Sequence, residues 1–134
     1  MILSDKYIYN QKASIPSILT VGAIHSHLVK HGLRGYCSLN VECSDAMDTH
    51  SFAILIGVGA TTVNPYLAID SIYQRFEKKL FGKSDFQTCV SKFKKSIDAG
   101  LLKIMSKMGI SVISSYRGGC NFEAVGLSRA IVSD

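Results

Sequence analysis

The sequence predicts an α/β domain in which a mostly parallel β-sheet is flanked by helices. Short β-branched or alternating segments recur between longer segments whose apolar residues keep a helical spacing. Residues 103–127 show the pattern best, because a Met-rich helical run leads into Val112-Ile113 and then into a Tyr-Arg-Gly-Gly turn. Strands that alternate with helices favour βαβ units, in which a crossover helix joins two parallel strands.

Composition limits the chain to one globular domain. With 134 residues, 47% of them hydrophobic and 19% charged, it can bury a core and is too apolar for a disordered protein or a coiled-coil rod. The longest apolar run, residues 52–63, is broken by two glycines and is too short to span a membrane. The N-terminus lacks the pattern of a signal peptide, so we expect a cytoplasmic protein.

The first third of the chain predicts two strands around one helix. Residues 2–5 (ILSD) resemble a strand, and the next helix starts at Ser14, whose hydroxyl can cap it, with Pro16 in the first turn. Gly32 ends this helix. The alternating residues 36–42 (YCSLNVE) predict the next strand.

The middle of the chain repeats this order. Asp45 is expected to cap a second helix that ends near Gly57, and residues 61–64 form a short β-branched strand before Pro65. A third helix extends from Pro65 to about residue 79. The glycines of residues 57–60 (GVGA) precede a strand, whereas those of a dinucleotide-binding motif follow one. We therefore interpret this segment as a helix-to-strand turn that needs glycine at positive φ.

The last third predicts mostly helix. Ser84 is expected to cap a helix that Gly100 interrupts before the helical spacing resumes at residues 101–108. Val112-Ile113 then predict a fourth strand, and a final helix starts at Phe122 and is still running at Asp134. Both termini have the pattern of elements that continue further, so we expect a partial domain cut from a larger chain. One apolar stripe marks the long helix at helical spacing: Phe86, Val90, Phe93 and Ile97.

Two of the four histidines could hold a metal ion. His27 and His31 are four residues apart and share one face of a helix. The third ligand would have to be His25 or the distant His50, and the chain has no HExxH motif. We therefore favour surface histidines, with His31 stabilised by the C-terminal end of its helix.

The four cysteines, at positions 37, 43, 89 and 120, predict no zinc site because no Cys-x-x-Cys pair is present. We expect reduced thiols, with Cys37 and Cys89 in the core. Cys120 near a predicted helix start is a candidate nucleophile. However, no His or Asn lies nearby in sequence to act as its base, so burial is the preferred interpretation. The acidic residues are scattered and predict no paired-carboxylate site.

Eight lysines between positions 78 and 107 account for most of the net charge of +5. Basic clusters attract phosphate-bearing partners such as nucleic acids. The chain has no Trp and no aromatic residues interleaved with arginines, which a single-strand binding groove would need. We interpret the lysines as a solvated helix face and expect neither a nucleic acid nor a membrane as a partner.

The segment around Arg117 lies between a predicted strand and a predicted helix start, where α/β proteins collect ligands. Two interpretations stay open for it. Arg117 could clamp a carboxylate or phosphate with its two-pronged guanidinium, or it could tie the turn to a neighbouring domain or an acidic side chain.

Read as a whole, the chain resembles the central domain of the glutamate synthase large subunit. The resemblance implies that residues 1–134 are the C-terminal part of that domain, a single and incomplete domain. The matching segments follow one another along the whole chain: ILSD at 2–5, IPSILTVGAIHSHLVKHGLR at 15–34, THSFAILIGVGATTVNPYLAIDSI at 49–72, GLLKIMSKMGISVISSYRGG at 100–119 and FEAVGLSRAIV at 122–132.

The resemblance implies an oxidoreductase of glutamate biosynthesis and ammonia assimilation, which makes two glutamates from glutamine, 2-oxoglutarate and two electrons. In this family an amidotransferase domain releases ammonia from glutamine. A domain with FMN and a 3Fe-4S cluster reduces the imine formed from 2-oxoglutarate, and the central domain stands between the two. The implied electron donor is NADPH or NADH through a small subunit, or ferredoxin.

None of the family's catalytic, cofactor-binding or metal-binding residues is expected among these positions. Cys37 and Cys43 have the spacing of two cluster ligands, but Asp48 stands where a third cysteine is needed. We expect this piece to be inactive alone and to act as a scaffold that shields channelled ammonia from water. The expected interdomain or tunnel-wall contacts are Asn64, Pro65, Tyr66, Ser115, Tyr116, Arg117 and Gly118. The alternative is a non-enzymatic α/β interaction module that binds an anionic ligand or partner at the Arg117 turn.

Overall fold

The computed structural model describes residues 1–8, 12–119, 121–123 and 125–126. Short strands alternate with helices in this part of the chain, and a 3₁₀ turn at Arg34–Tyr36 precedes the second strand. The elements are β1 (Ile2–Ser4), α1 (Ser17–Lys30), β2 (Asn40–Glu42), α2 (Thr49–Gly57), β3 (Thr62–Asn64), α3 (Tyr66–Glu77), α4 (Phe86–Lys107) and α5 (Ile113–Tyr116).

The three strands form one parallel sheet in the order β1-β2-β3, as predicted for an α/β domain. Leu3 lies opposite Val41, and Val41 lies opposite Val63. Strands that follow each other in sequence are neighbours in the sheet, and both βαβ crossovers are expected to be right-handed. The helices α1 and α2 therefore lie on the same face of the sheet. The contact between α1 and α2 agrees with this placement.

The core lies between this face of the sheet and the helices. The middle residue of each strand (Leu3, Val41 and Val63) packs into it, together with Val21 of α1. Phe52 of α2 contributes its ring. The helix α4 lies against α2 through the predicted apolar stripe: Ile97 belongs to the core, and Phe93 and Leu101 pack against it. These contacts bury the apolar faces that make βαβ units stable.

The predicted fourth strand at Val112-Ile113 is wrong. Val112 is extended, but Ile113 begins the short helix α5. Tyr116, the last residue of α5, is buried and donates its hydroxyl proton to the carbonyl of Ala53 at 2.9 Å. The described sheet ends at β3, so the Val-Ile pair has no strand beside it. Because β-propensity reflects cross-strand packing, it does not hold a segment extended without a neighbour.

Ser14 and Asp45 do not cap the helices predicted for them. The first helix begins after Pro16, which is its N-cap residue and makes no side-chain capping hydrogen bond. Instead, the N–H of Ser17 donates to the carboxylate of Asp45 at 3.3 Å, which fixes the start of α1 to a distant loop. The cap of α2 is Asp48, which accepts a backbone hydrogen bond of 2.9 Å.

The helix α4 differs from its prediction in two ways. Asp85 caps it rather than Ser84, and it runs through Gly100 without interruption. A Cβ at Gly100 would lie 2.4 Å from Cγ2 of Thr49 at the start of α2. The glycine therefore allows α4 to approach α2 closely, which compensates for its low helix propensity.

Two further boundaries are shorter than predicted. The strand predicted for residues 36–42 is confined to Asn40–Glu42. Phe122 and Glu123 are not helical, and most of the predicted final helix lies outside the described residues. In the described part of the chain, every helix is too short or too polar to span a bilayer.

We expect Tyr116→Phe to lower the free energy of unfolding by about 1 kcal/mol, because it removes a buried hydrogen bond to Ala53. Urea unfolding followed by circular dichroism measures the change. Tyr36→Phe, at a position that is 88% exposed, is the matched control and should change stability by less than about 0.5 kcal/mol. Equal effects of the two substitutions would contradict the anchoring role of Tyr116.

Candidate functional site

The segment Ser115 to Gly118 docks on the C-terminal half of α2. Besides the Tyr116 hydroxyl bond, the N–H of Gly118 donates to the carbonyl of Ile56 at 3.3 Å. The ring of Tyr116 meets that of Phe122 edge to face, with centroids 6.2 Å apart. Ser115 is exposed. The turn is therefore fixed at two points to one helix.

Arg117 lies half-buried in this fixed turn. Its Nε is buried and has no hydrogen-bond partner among the described residues. A buried donor without an acceptor costs about 1–3 kcal/mol. An acceptor supplied from outside the described residues would therefore stabilise the turn.

His25 fills the space between two glycines. A Cβ at Gly118 would lie 2.7 Å from His25 Cε1, and one at Gly59 would lie 2.4 Å from His25 Nδ1. Both glycines also have positive φ, +70° and +127° respectively. Only glycine satisfies the backbone and the close approach together. The predicted glycine turn before β3 is confirmed at Gly59.

Arg34 holds His25 in place. Its Nε donates to His25 Nδ1 at 3.1 Å, and its two terminal nitrogens donate to the carbonyls of Cys37 and Gly59 at 2.7 and 2.8 Å. Because arginine only donates, His25 accepts at Nδ1 and is the neutral tautomer with its proton on Nε2. Burial and then the Arg34 charge lower the pKa of His25. Its Nδ1 is therefore not free to act as the third metal ligand considered above.

Asn64, Pro65 and Tyr66 lie where β3 ends and α3 begins. The amide of Asn64 donates to Glu42 Oε1 at 3.4 Å, and Pro65 is buried at the start of α3. The ammonium of Lys6 lies 5.6 Å from the centroid of the Tyr66 ring, a cation–π geometry. Burial, followed by the neighbouring Asp5 carboxylate, raises the pKa of Tyr66.

Asp5 joins β1 to the loop after β2. Its Oδ2 accepts from the N–H and the hydroxyl of Ser44 at 3.0 and 2.7 Å, while its Oδ1 is buried without a partner among the described residues. Burial raises the pKa of this carboxyl, but the Ser44 hydrogen bonds outweigh it, and the net pKa is lowered. A cleft of about 230 Å³ opens beside this edge, lined in part by Asp5, Thr20 and Glu42.

The two predicted contact regions lie at opposite ends of the domain. Asn64 to Tyr66 are at the carboxyl edge of the parallel sheet. The Ser115 to Gly118 turn contacts Ala53 in the middle of α2 and Ile56 near the C-terminal end of α2, which leads to the amino end of β3. Nine helical residues separate these ends by about 13 Å. The structure thus orders both regions but does not bring them together.

The remaining histidines were considered above as metal ligands. His27 and His31 are both exposed, with ring centroids 4.2 Å apart, and His31 Nδ1 lies 2.8 Å from the His27 carbonyl oxygen. Within the described ranges, no three His, Cys, Asp or Glu side chains come together as a metal site would require. The helix-end location predicted for His31 is confirmed.

An iron–sulfur cluster needs several thiolates close together, and the three cysteines in the described part of the chain form no such group. Cys43 is buried in the core, and burial raises its pKa to about 12. Cys89 is buried as predicted, whereas Cys37 is only half-buried, and its thiol faces the Leu33 carbonyl. The nucleophile considered at Cys120 lies outside the described residues. No reaction step is therefore assigned to these thiols.

All eight lysines between residues 78 and 107 are exposed, on α4 and in the segment between α3 and α4. This is the arrangement predicted for a solvated helix face.

Arg34 and His25 are the residues that the sequence-based interpretation missed, because their contacts join segments up to 93 residues apart. The glycines at positions 59 and 118 were the available signal.

The fold and these contacts define an α/β domain of consecutive βα units, stiffened at both ends of its sheet. The sequence profile of the glutamate synthase central domain matches residues 1–128. The chain is 57% identical over 134 residues to the NADPH glutamate synthase large chain of Azospirillum brasilense, covering 100% of this chain and 9% of that protein.

Two further relatives agree. The chain is 46% identical to the NADPH glutamate synthase large chain of Bacillus subtilis, with 98% of this chain and 9% of that protein covered. It is 42% identical to the ferredoxin-dependent glutamate synthase of Pyropia yezoensis, with 99% and 9% covered. The chain therefore belongs to the glutamate synthase central domain family, and it spans about a tenth of the length of these relatives.

We expect Gly118→Ala to lower the free energy of unfolding by about 1–3 kcal/mol, because a Cβ there strains the backbone and collides with the His25 ring that Arg34 holds. Gly35→Ala is the control, since no atom lies within 4 Å of its Cβ position and its φ is not positive. Thermal and urea unfolding compare the two. A Gly118→Ala domain as stable as the Gly35→Ala domain would contradict the wedge formed by His25.

His25 also predicts a pH dependence of stability. Its folded-state pKa lies below the ordinary value of 6.5, so the unfolded chain binds this proton first as the pH falls. The contribution is complete above about pH 6.5 and decreases as the pH falls toward the lowered folded-state pKa. We expect the free energy of unfolding of His25→Gln to depend less on pH than that of the unmodified domain between about pH 7 and about pH 5. His50→Gln, at an exposed histidine, should retain the pH dependence of the unmodified domain. Urea midpoints across this range measure the slope, and an unchanged slope in His25→Gln would contradict the assignment.

Proposed function

We propose that this chain is part of the large subunit of a cytoplasmic glutamate synthase, an enzyme of ammonia assimilation that makes two glutamates from glutamine, 2-oxoglutarate and two electrons. The match along the whole length to relatives of that name supports the proposal. The names of the relatives include NADPH and ferredoxin forms, so the electron donor is either a nicotinamide-linked subunit or ferredoxin. FMN and a 3Fe-4S cluster would be bound by other domains.

Within such an enzyme, this domain acts as a scaffold between the amidotransferase and FMN domains. The observation that supports this role is that the two regions predicted to contact neighbouring domains are both ordered and lie at opposite ends of one packed core. A spacer must contact different neighbours at different ends and must hold their separation constant. Ammonia released at one active site has to reach the other before it is lost to bulk water. This requires a fixed distance and orientation between the two sites.

The Arg117 turn has the properties that a joint between domains needs. Tyr116 and Gly118 fix its backbone to α2, so the turn adds little conformational entropy cost when a neighbour binds. The Arg117 guanidinium keeps one buried donor without a partner among the described residues. A carboxylate or carbonyl of a neighbouring domain would complete that hydrogen bond.

The alternative of an anion-binding module has less support. A phosphate or dicarboxylate site usually brings several charged donors together. The guanidinium of Arg34, on the other side of the His25 ring, is already bonded to His25 and to the carbonyls of Cys37 and Gly59. Arg117 would therefore act without its help.

We expect Arg117→Ala in the full-length enzyme to uncouple the two reactions. Glutamine hydrolysis should exceed glutamate synthesis from 2-oxoglutarate by roughly 2- to 10-fold, a coupling loss of about 0.4–1.4 kcal/mol. Synthesis from added ammonia should persist, because no reacting group is removed. Parallel assays of glutamine consumed and glutamate formed give the ratio.

The control is Arg75→Ala, which removes the same side chain from an exposed position on α3. This variant should keep the stoichiometry of the unmodified enzyme. If Arg117→Ala also left the ratio of hydrolysis to synthesis unchanged, the joint would not lie at this turn.

A further inference from the structure

One face of the sheet has no helix on it among the described residues. The helices α1 and α2 cover the other face, where the middle residue of each strand packs. Ile2 is 72% exposed, and Ser4, Thr62 and Asn64 are exposed as well. We call this surface the bare face; its side chains alternate with the core residues along the strands and are Ile2, Ser4, Asn40, Glu42, Thr62 and Asn64.

A bare face is unusual for a parallel sheet. Crossover helices normally cover both faces of a parallel sheet, so nearly all parallel sheets are buried on both sides. Antiparallel sheets more often leave one face to water. The topology of this sheet therefore indicates a covering layer that the described residues do not supply.

The chemistry of the bare face is polar and rich in acceptors. Glu42 lies in the central strand and accepts from the Ser4 hydroxyl at 2.7 Å and from the Asn64 amide at 3.4 Å. In the neighbouring row, the Thr62 hydroxyl donates to Asn40 Oδ1 at 2.7 Å. Lys6 contributes one ion pair to Glu42 at 3.7 Å. Carboxylate, amide and hydroxyl oxygens with lone pairs to spare suit an occupant that brings N–H donors.

The size of the bare face selects the kind of occupant. Three strands of three residues measure about 10 Å by about 14 Å, far below the about 800 Å² that each partner of a stable complex buries. Two copies meeting here would also place their Glu42 carboxylates on the same small surface. A tethered segment needs no such area, because its effective concentration is of order millimolar.

We infer that the bare face binds another segment of the same long polypeptide, one that presents arginine, lysine or amide N–H groups to the row formed by Ser4, Glu42 and Asn64. This inference rests on the part of the proposed function that places the chain in a longer protein, since the chain spans 9% of the relatives it matches. It does not depend on the Arg117 joint.

The test is thiol labelling of the full-length large subunit, read peptide by peptide by mass spectrometry so that native cysteines do not interfere. Thr62→Cys places a thiol on the bare face, and Ser4→Cys repeats the measurement on β1. Lys94→Cys, at an exposed position of α4, is the control. Each labelling rate is divided by the rate for the same variant in denaturant.

We expect Thr62→Cys and Ser4→Cys to react at least about 10-fold more slowly than Lys94→Cys, at a ratio independent of protein concentration. Equal rates would show an open face and overturn the inference. Protection that disappears on dilution would show a second copy as the occupant, which also overturns it. Glutamate synthesis measured on the same samples reports separately on the proposed function, so the two can fail independently.

Discussion

Burial of the apolar part of α2, residues 52–57, is the constraint on which the rest of the structure depends. After the polar first turn, these residues are apolar on all sides of the helix, and such a segment is stable only where neighbouring elements cover it. Phe52 and Leu55 enter the core, and α2 contacts both β3 and α4, with the Phe52 ring meeting that of Phe93 at a centroid distance of 6.4 Å. The carbonyls of Ala53 and Ile56 then accept the bonds that fix α5 and its turn. Loss of α2 packing would release the sheet, α4 and the Arg117 turn together.

The fold class followed from the sequence because its signals are local. The spacing of Phe93 and Ile97 on one helical stripe, and the β-branched Thr62-Val63 before Pro65, each depend on neighbours within a few residues. Val112-Ile113 carried an equally strong local signal for a strand. It forms a helix start instead, because Tyr116 reaches 63 residues back to α2 and the described sheet offers no partner.

The site could be predicted only in part, for the same physical reason. The Arg117 turn and the residues after β3 were predicted as contacts from their place between strands and helices, and that role stays a prediction. Their location at opposite ends of the sheet depends on the direction of α2. Asp45 has the residue type of a cap and accepts the Ser17 N–H at a helix 28 residues earlier. The Arg34 guanidinium joins three segments through backbone carbonyls and a ring nitrogen. No spacing rule encodes such contacts, and only the two glycines pressed against His25 indicate them.

Both ends of the sheet are fixed by side chains that bond to backbone groups of other segments. At the amino end, Arg34 ties the start of β2 to the turn before β3. At the carboxyl end, Asp5 and Asp45 tie the loop after β2 to β1 and to the start of α1. Bonds of this kind restrict sliding of one βα unit past the next, because each ties together two segments that would otherwise move separately. A domain fixed in this way changes little in length when it is pushed at either end, and constant length is the property that a spacer between two reaction sites requires.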